Sequence, residues 1–294
     1  MGLKYFISVV LCFCLLSFGT KEGSKPIIEK VKIGGKQREY ILYLPANLPL
    51  NSPLVFVIHG YTDNALNMMN TTGFNVIADE NKFAVCYPQG LTDKDGKTFW
   101  EVGYSFTQSL EVNDVQFLTD LARKLQKKYR LSRAKTFATG MSNGADMCVM
   151  LACKAPDVFK AVAPVCGCIM KSVYDESQNA KPISVFMINS TADKITWWNG
   201  DMPNNQGYGP YLSTPELLKF FVEKNKCNQI KVDSLLNSNK QDSSFVISER
   251  HLNGINGNEV LFYKVVNGGH DWPGWSGNRD INASQEVWNF FKKY

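Results

Sequence analysis

The run Gly140-Met141-Ser142-Asn143-Gly144 constrains this chain more than any other feature. The pattern G-x-S-x-G is weak by itself, since about one chain of this composition in ten would carry it by chance. Its setting supplies the constraint. Upstream, Ala134-Lys135-Thr136-Phe137-Ala138-Thr139 alternates in the manner of a short buried strand, and downstream Ala145 to Cys153 reads as a helix free of glycine and proline. Strand, tight turn and helix together hold a serine hydroxyl exposed at the top of a sheet, with a helix N-terminus behind it. The flanking glycines suit a turn in which backbones pass closely. Ser142 is the candidate nucleophile; the bland alternative is a strand–helix turn with an incidental serine.

A serine alcohol needs a base, and the base needs a partner that orients it. Three histidines are available. His251 lies in Ser248-Glu249-Arg250-His251-Leu252-Asn253-Gly254 and reads as a solvated strand end. His59 closes the apolar run Leu54 to Ile58 and precedes the serine, whereas an elbow of this kind places its histidine last. His270, in Asn267-Gly268-Gly269-His270-Asp271-Trp272-Pro273-Gly274, follows the strand Val260 to Val266 on a flexible turn. It is the candidate base. The orienting acid belongs between the two, and Asp193 leaves the apolar strand Ile183 to Ile188 where a carboxylate can meet the imidazole. Asp175, Glu176, Asp201, Asp233, Glu259 and Asp271 are less well placed.

An acyl-transfer site also needs N–H donors for the oxyanion of its tetrahedral intermediate. Asn143, directly after the nucleophile, supplies one. The loop His59-Gly60-Tyr61-Thr62-Asp63 supplies the other, with Tyr61 the first choice and Thr62 the fallback.

The 294 residues, 44% hydrophobic and 20% charged, suit one large globular domain. Before it, Lys4 is followed by a mostly apolar run from Tyr5 to Phe18 and then Gly19-Thr20-Lys21-Glu22. A run this short reads as a cleaved secretory signal spanning residues 1–19, with the catalytic domain at 20–294 and a secreted or periplasmic location. A membrane anchor needs about 20 apolar residues. Loss of Lys4 lowers the net charge from +5 to +4, too small and dispersed a surplus to point to nucleic acid. Six cysteines remain, and export permits disulfides among them, though four lie in apolar contexts that suit buried thiols. Cys166-Gly167-Cys168 lacks the companion ligands of a zinc site, so no metal and no cofactor is expected.

Along the chain, Ile28 to Ile33 and Arg38 to Leu44 form an expected hairpin around Gly34-Gly35. A strand at Leu54 to Ile58, a helix over Ala65 to Glu80, a strand at Phe83 to Tyr87 and an amphipathic helix over Val112 to Tyr129 follow. After the elbow come the apolar stretch Ala161 to Val165, the capping box Ser213-Thr214-Pro215-Glu216, a second hairpin over Ser244 to Leu252 and Glu259 to Val266, and a last helix over Ala283 to Lys292. This alternation indicates an α/β fold with a mostly parallel sheet and helices on both faces. Between Asp193 and Ser213 lies a Gly- and Pro-rich loop carrying Trp197, Trp198, Tyr208 and Tyr211. With Trp272, the residues Trp197, Trp198 and Tyr208 are candidates for stacking on a sugar or an aromatic acid, and Trp100 and Trp275 can add to that surface.

The motifs taken together resemble the secreted α/β-hydrolase family of feruloyl esterases, acetylxylan esterases and polyhydroxybutyrate depolymerases. The resemblance rests on His59-Gly60-Tyr61, Asn113-Asp114-Val115, Thr139 to Gly144, Leu151-Ala152-Cys153, Ala161 to Val165, Thr191-Ala192-Asp193 and Gly268 to Gly274, in that order. It implies a Ser142/His270/Asp193 triad, an acyl-enzyme intermediate, no cofactor, and esterified plant polysaccharide as substrate. Two departures stand out. Ala145 occupies a position where the family usually has glycine, and Lys194-Ile195-Thr196-Trp197-Trp198 replaces a Val-Pro-Tyr-like stretch beside the substrate. The readings drawn are a serine carboxylesterase acting on feruloyl or acetyl esters, a polyhydroxybutyrate depolymerase, and, in another class, a non-catalytic carbohydrate-binding protein on the same scaffold.

Overall fold

The alternating strands and helices assemble into one ten-stranded sheet and a two-stranded ribbon in the computed structural model, which describes residues 24–107 and 109–294. The expected leader at 1–19, with Cys12 and Cys14, lies outside the described residues. The strands of the first half are β1 (Ile27–Ile33), β2 (Lys36–Tyr43), β3 (Leu54–Ile58), β4 (Ala84–Gln89), the short β5 (Leu91–Thr92) and β6 (Thr98–Phe99), and β7 (Thr136–Met141). Then come β8 (Ala161–Val165), β9 (Ser184–Ser190), β10 (Gln229–Ser234), β11 (Phe245–Leu252) and β12 (Val260–Val266). The main sheet runs β1-β2-β4-β3-β7-β8-β9-β12-β11-β10, and β5 pairs with β6. Its six central strands, β4 to β12 in that order, are parallel, while β1, β2, β11 and β10 are antiparallel flanks. The central strands β3 and β8 are buried along their whole length, as expected of parallel strands covered on both faces.

The helices are α1 (Ala65–Thr72), α2 (Phe74–Asn81), α3 (Asp114–Tyr129), α4 (Asn143–Lys154), the short α5 (Lys171–Glu176), α6 (Thr214–Asn225) and α7 (Ala283–Phe291). Phe117 and Leu121 of α3, Met147 of α4 and Leu217 of α6 share one core. Met68 of α1, Phe74 of α2 and Val287 of α7 share the core on the opposite face of the sheet. Local signals start these helices where the sequence puts them. The Asn113 side chain accepts from Gln116 N–H at the head of α3, and Ser213 and Glu216 cap α6 reciprocally.

Two expectations change. The helix over Ala65 to Glu80 is two helices, because Gly73 takes a left-handed conformation (φ 69°) that ends α1 before α2 begins. The six described cysteines are all free thiols, with five of them buried: Cys86 on β4, Cys148 and Cys153 on α4, and Cys166 and Cys168 in the loop after β8. The motif Asn113-Asp114 has a structural role. Asp114 pairs with Arg38 at 2.7 Å in the interior and accepts from Glu101 N–H at 2.8 Å, while the Arg38 guanidinium lies 3.7 Å from the Phe117 ring centre. That cluster ties β2 to α3 and to the segment leading from β6 towards the site.

Candidate active site

Adjacent strands β3, β7, β8, β9 and β12 all release their chains at one end of the sheet, the crevice where open parallel sheets hold ligands. Ser142 follows β7 with φ 57° and ψ −125°, a backbone that a residue with a Cβ adopts only under constraint. The turn is tight because its neighbours press on it. A Cβ at Gly140 would lie 2.6 Å from the Ile58 carbonyl oxygen, and one at Gly144 would collide with that same oxygen. The extra methyl of Ala145 is accommodated from the other side by Gly167, where any Cβ would lie 2.6 Å from it. Ser142 itself is half-buried and opens onto a cavity of about 340 Å³ that His270 also lines.

The loops after β9 and β12 are laced together. Ala192 N–H donates to the Gly268 carbonyl at 3.0 Å and Asn267 N–H to the Thr191 hydroxyl at 2.8 Å. This places His270 Nδ1 2.8 Å from Asp193 Oδ2. The other Asp193 oxygen accepts from Ile195 and Thr196 N–H at 2.8 and 2.9 Å, which fixes the carboxylate's direction. The Asp193 side chain is 1% exposed and that of His270 is 18% exposed, so the imidazole is backed by a buried carboxyl group and open on its far side. With Nδ1 turned to Asp193, Nε2 is the nitrogen free for chemistry.

Asn143 is the first residue of α4, so its N–H has no partner within the helix. Thr62 N–H is committed to the Thr98 carbonyl at 2.8 Å, whereas Tyr61 N–H takes up no acceptor among the described residues. Of the two loop candidates, Tyr61 keeps a donor for the site. The Asn143 side chain clamps the Trp100 backbone from both sides, accepting its N–H at 2.7 Å and donating to its carbonyl at 3.0 Å. Trp100 in turn donates from Nε1 to the His59 carbonyl at 2.9 Å. His59 is fully buried and accepts from Gly90 N–H through Nε2 at 2.9 Å, so its Nδ1 carries the proton facing the Gly60 carbonyl. Burial pushes its pKa down to about 4. It is a neutral strut beneath the loop. His251 is not solvated as its polar segment suggests: β11 holds it half-buried beside Glu249, and burial lowers its pKa.

Residues 38–198 match the family model described as Esterase PHB depolymerase. The chain belongs to this esterase family. NocK of Nocardia uniformis subsp. tsuyamanensis, assigned as an esterase, is 27% identical over 83% of this chain and 73% of its own length. The bifunctional acetylxylan esterase/xylanase XynS20E of Neocallimastix patriciarum is 25% identical over 55% of this chain, which spans 22% of that larger protein. Among solved structures, an acetyl xylan esterase from Aspergillus awamori superposes with a TM-score of 0.65 over 91% of this chain and all of that one, at 16% identity. That likeness shows the α/β-hydrolase fold.

The esterase's cavity is walled by rings that its long loop delivers. Asp201 accepts from Asn205 and Gln206 N–H, and Ser105 N–H donates to the Tyr208 carbonyl at 2.8 Å. Tyr208 then packs on Tyr104 with ring centres 5.4 Å apart. Tyr61, Thr62, Met170, Ile195, Thr196 and Tyr211 complete most of the lining. Of the four aromatic residues expected at the substrate, Tyr208 lines this cavity and three do not. Trp272 is buried in the core, donating to Ser284 Oγ at 3.0 Å and packing near Phe74. Trp198 packs towards Phe262, and Trp197 folds back to donate to the Lys194 carbonyl at 3.1 Å. Trp100 is interior, and exposed Trp275 borders a separate groove. Sequence reasoning missed Asp146 and Tyr104, which also line the cavity. Asp146 had a signal: an acid four residues after the nucleophile on an otherwise apolar helix.

Proposed function

We propose that the esterase is a serine carboxylesterase that removes hydroxycinnamoyl (ferulate-type) or acetyl groups from plant cell-wall polysaccharide after export. The observation that carries this reading is one cavity lined by both Ser142 and His270, with His270 Nδ1 held 2.8 Å from buried Asp193. Ser142 Oγ attacks the ester carbonyl as its proton passes to His270 Nε2, and the carbonyl oxygen becomes an oxyanion facing the N–H groups of Asn143 and Tyr61. Asp193 stabilises the imidazolium. Collapse expels the sugar alcohol, which takes the proton from His270 and leaves an acyl-Ser142 ester. Water, deprotonated by His270, then attacks that ester, and the proton returns to Ser142 as the acid departs. The acetylxylan esterase names among the relatives support a polysaccharide ester as substrate. Hydrolysis of methyl ferulate and of acetylated xylan by the chain, beside Ser142→Ala, tests the reading. Turnover of either that falls at least about a thousandfold in a folded variant is expected; turnover unchanged in the variant contradicts it. The family's own description favours a second reading, a polyhydroxybutyrate depolymerase, which release of hydroxybutyrate without activity on either plant ester would select.

A further inference from the structure

The cavity holds a carboxylate that the reaction above leaves unused. Asp146 lies one helical turn beyond Ser142, its N–H donating to the Ser142 carbonyl at 2.9 Å. Its side chain is buried, with Oδ1 accepting from Cys168 N–H and Oδ2 from the Tyr104 hydroxyl, each at 2.7 Å. Among the described residues no lysine, arginine or histidine forms an ion pair with it, in contrast to Asp114, which has Arg38. A buried carboxylate without a counter-ion is costly, and the start of α4 offsets only part of that cost. Its hydrogen bonds to Cys168 and Tyr104 fix where the carboxylate sits but leave its charge without a counter-ion. Both Asp146 and Tyr104, however, line the same cavity as Ser142 and His270.

We propose that Asp146, held in place by Tyr104, determines specificity by accepting a hydrogen bond from a hydroxyl group of the bound ester. This rests on the serine-esterase reading of the site. A carboxylate has about four lone-pair positions; the Cys168 N–H, the Tyr104 hydroxyl and the Cys168 thiol take up three, which leaves one for a ligand. The tyrosine hydroxyl donates to Asp146 and, with Asn143 beside it, presents a remaining lone pair as well. The pair is therefore an acceptor-rich spot that rewards a donor and penalises an apolar group. The adjoining walls, Tyr208, Tyr211 and Met170, suit a ring carrying that donor. A two-carbon acyl group with no donor would leave most of the roughly 340 Å³ cavity to water. The hydroxyl can belong to an aromatic acyl group or to the sugar beside the ester.

Two matched pairs of esters distinguish those sources. One is methyl 4-hydroxycinnamate against methyl cinnamate; the other is an acetylated xyloside against the same compound with its neighbouring hydroxyl methylated. The readout is the ratio of kcat/KM within each pair, so a general loss of activity cancels. We expect at least one pair to favour the hydroxyl-bearing ester by about tenfold or more, with that ratio falling several-fold in Asp146→Asn and in Tyr104→Phe. The second variant retains the ring packing and serves if the first fails to fold. Ratios near one for both pairs in the wild-type protein overturn the proposal, as does an equal loss on all four esters in the variants. No hydrolysis of any of the four removes the plant-ester reading too, whereas hydrolysis without discrimination removes this proposal alone.

Discussion

Ser142 and His59 show how much of this site is decided by single backbones and single protons. The left-handed turn at Ser142 is sustained by Gly140 and Gly144, each pressed against the exit of β3. His59, at that exit, is kept neutral by burial, and this makes a pH prediction with a definite sign. Its pKa falls from 6.5 in the unfolded chain to about 4 in the fold. The unfolded state therefore binds the extra proton first as pH drops, and stability is lost between pH 6.5 and about 4. A tenfold change in proton affinity is worth about 1.4 kcal/mol, so the loss is roughly 3 kcal/mol. Urea unfolding at pH 7 and pH 4 checks it: the wild-type protein should lose roughly 3 kcal/mol more than His59→Asn, and equal losses would contradict the assignment. Sequence order alone ruled His59 out as the base; its work as a strut was not legible, because its partners Gly90 and Trp100 are far away along the chain.

Elements with a strong periodic pattern were legible, and those without one were not. The buried runs of β3, β7 and β8 and the capped helices α3 and α6 stand where residue pattern and caps place them. The break at Gly73 was missed because one glycine inside a helical pattern is ordinarily tolerated; only its left-handed φ makes it a terminator. Strand β10 was missed because its alternation is only two apolar residues long, Ile230 and Val232, and all six of its residues are exposed at the edge of the sheet. The aromatic loop misled for a related reason: composition reveals that rings are present but not which way each turns, and Trp272 turns into the core. The element-level contact that matters most away from the nucleophile is Arg38 of β2 with Asp114 of α3. Replacing Arg38 by alanine strands a buried carboxylate, so equilibrium denaturation should show a loss of about 3–5 kcal/mol. A loss under about 1 kcal/mol would mean that the pair is not the fastener described.

The fold places its chemistry by topology. Five neighbouring strands end in one crevice, where His270 meets Asp193 from 77 positions along the chain and lines one cavity with Ser142, which lies 51 positions before that acid. The expected order serine, acid, histidine rests on the strand–turn–helix elbow and on a choice among three histidines, and the structure brings two of those residues, Asp193 and His270, into contact. The rings that line the cavity were not readable, because the lining depends on how one long loop folds over the 104–107 segment through Asp201 and the Tyr208 carbonyl. All of the proposed chemistry depends on Ser142 being a nucleophile activated by His270 and Asp193. The decisive experiment is labelling with a fluorophosphonate, followed by mass spectrometry of the peptide that contains Ser142. A stoichiometric adduct on Ser142 is expected, slowed by at least about a hundredfold in His270→Ala. No adduct, or an adduct on another residue at the same rate in both proteins, would contradict the triad.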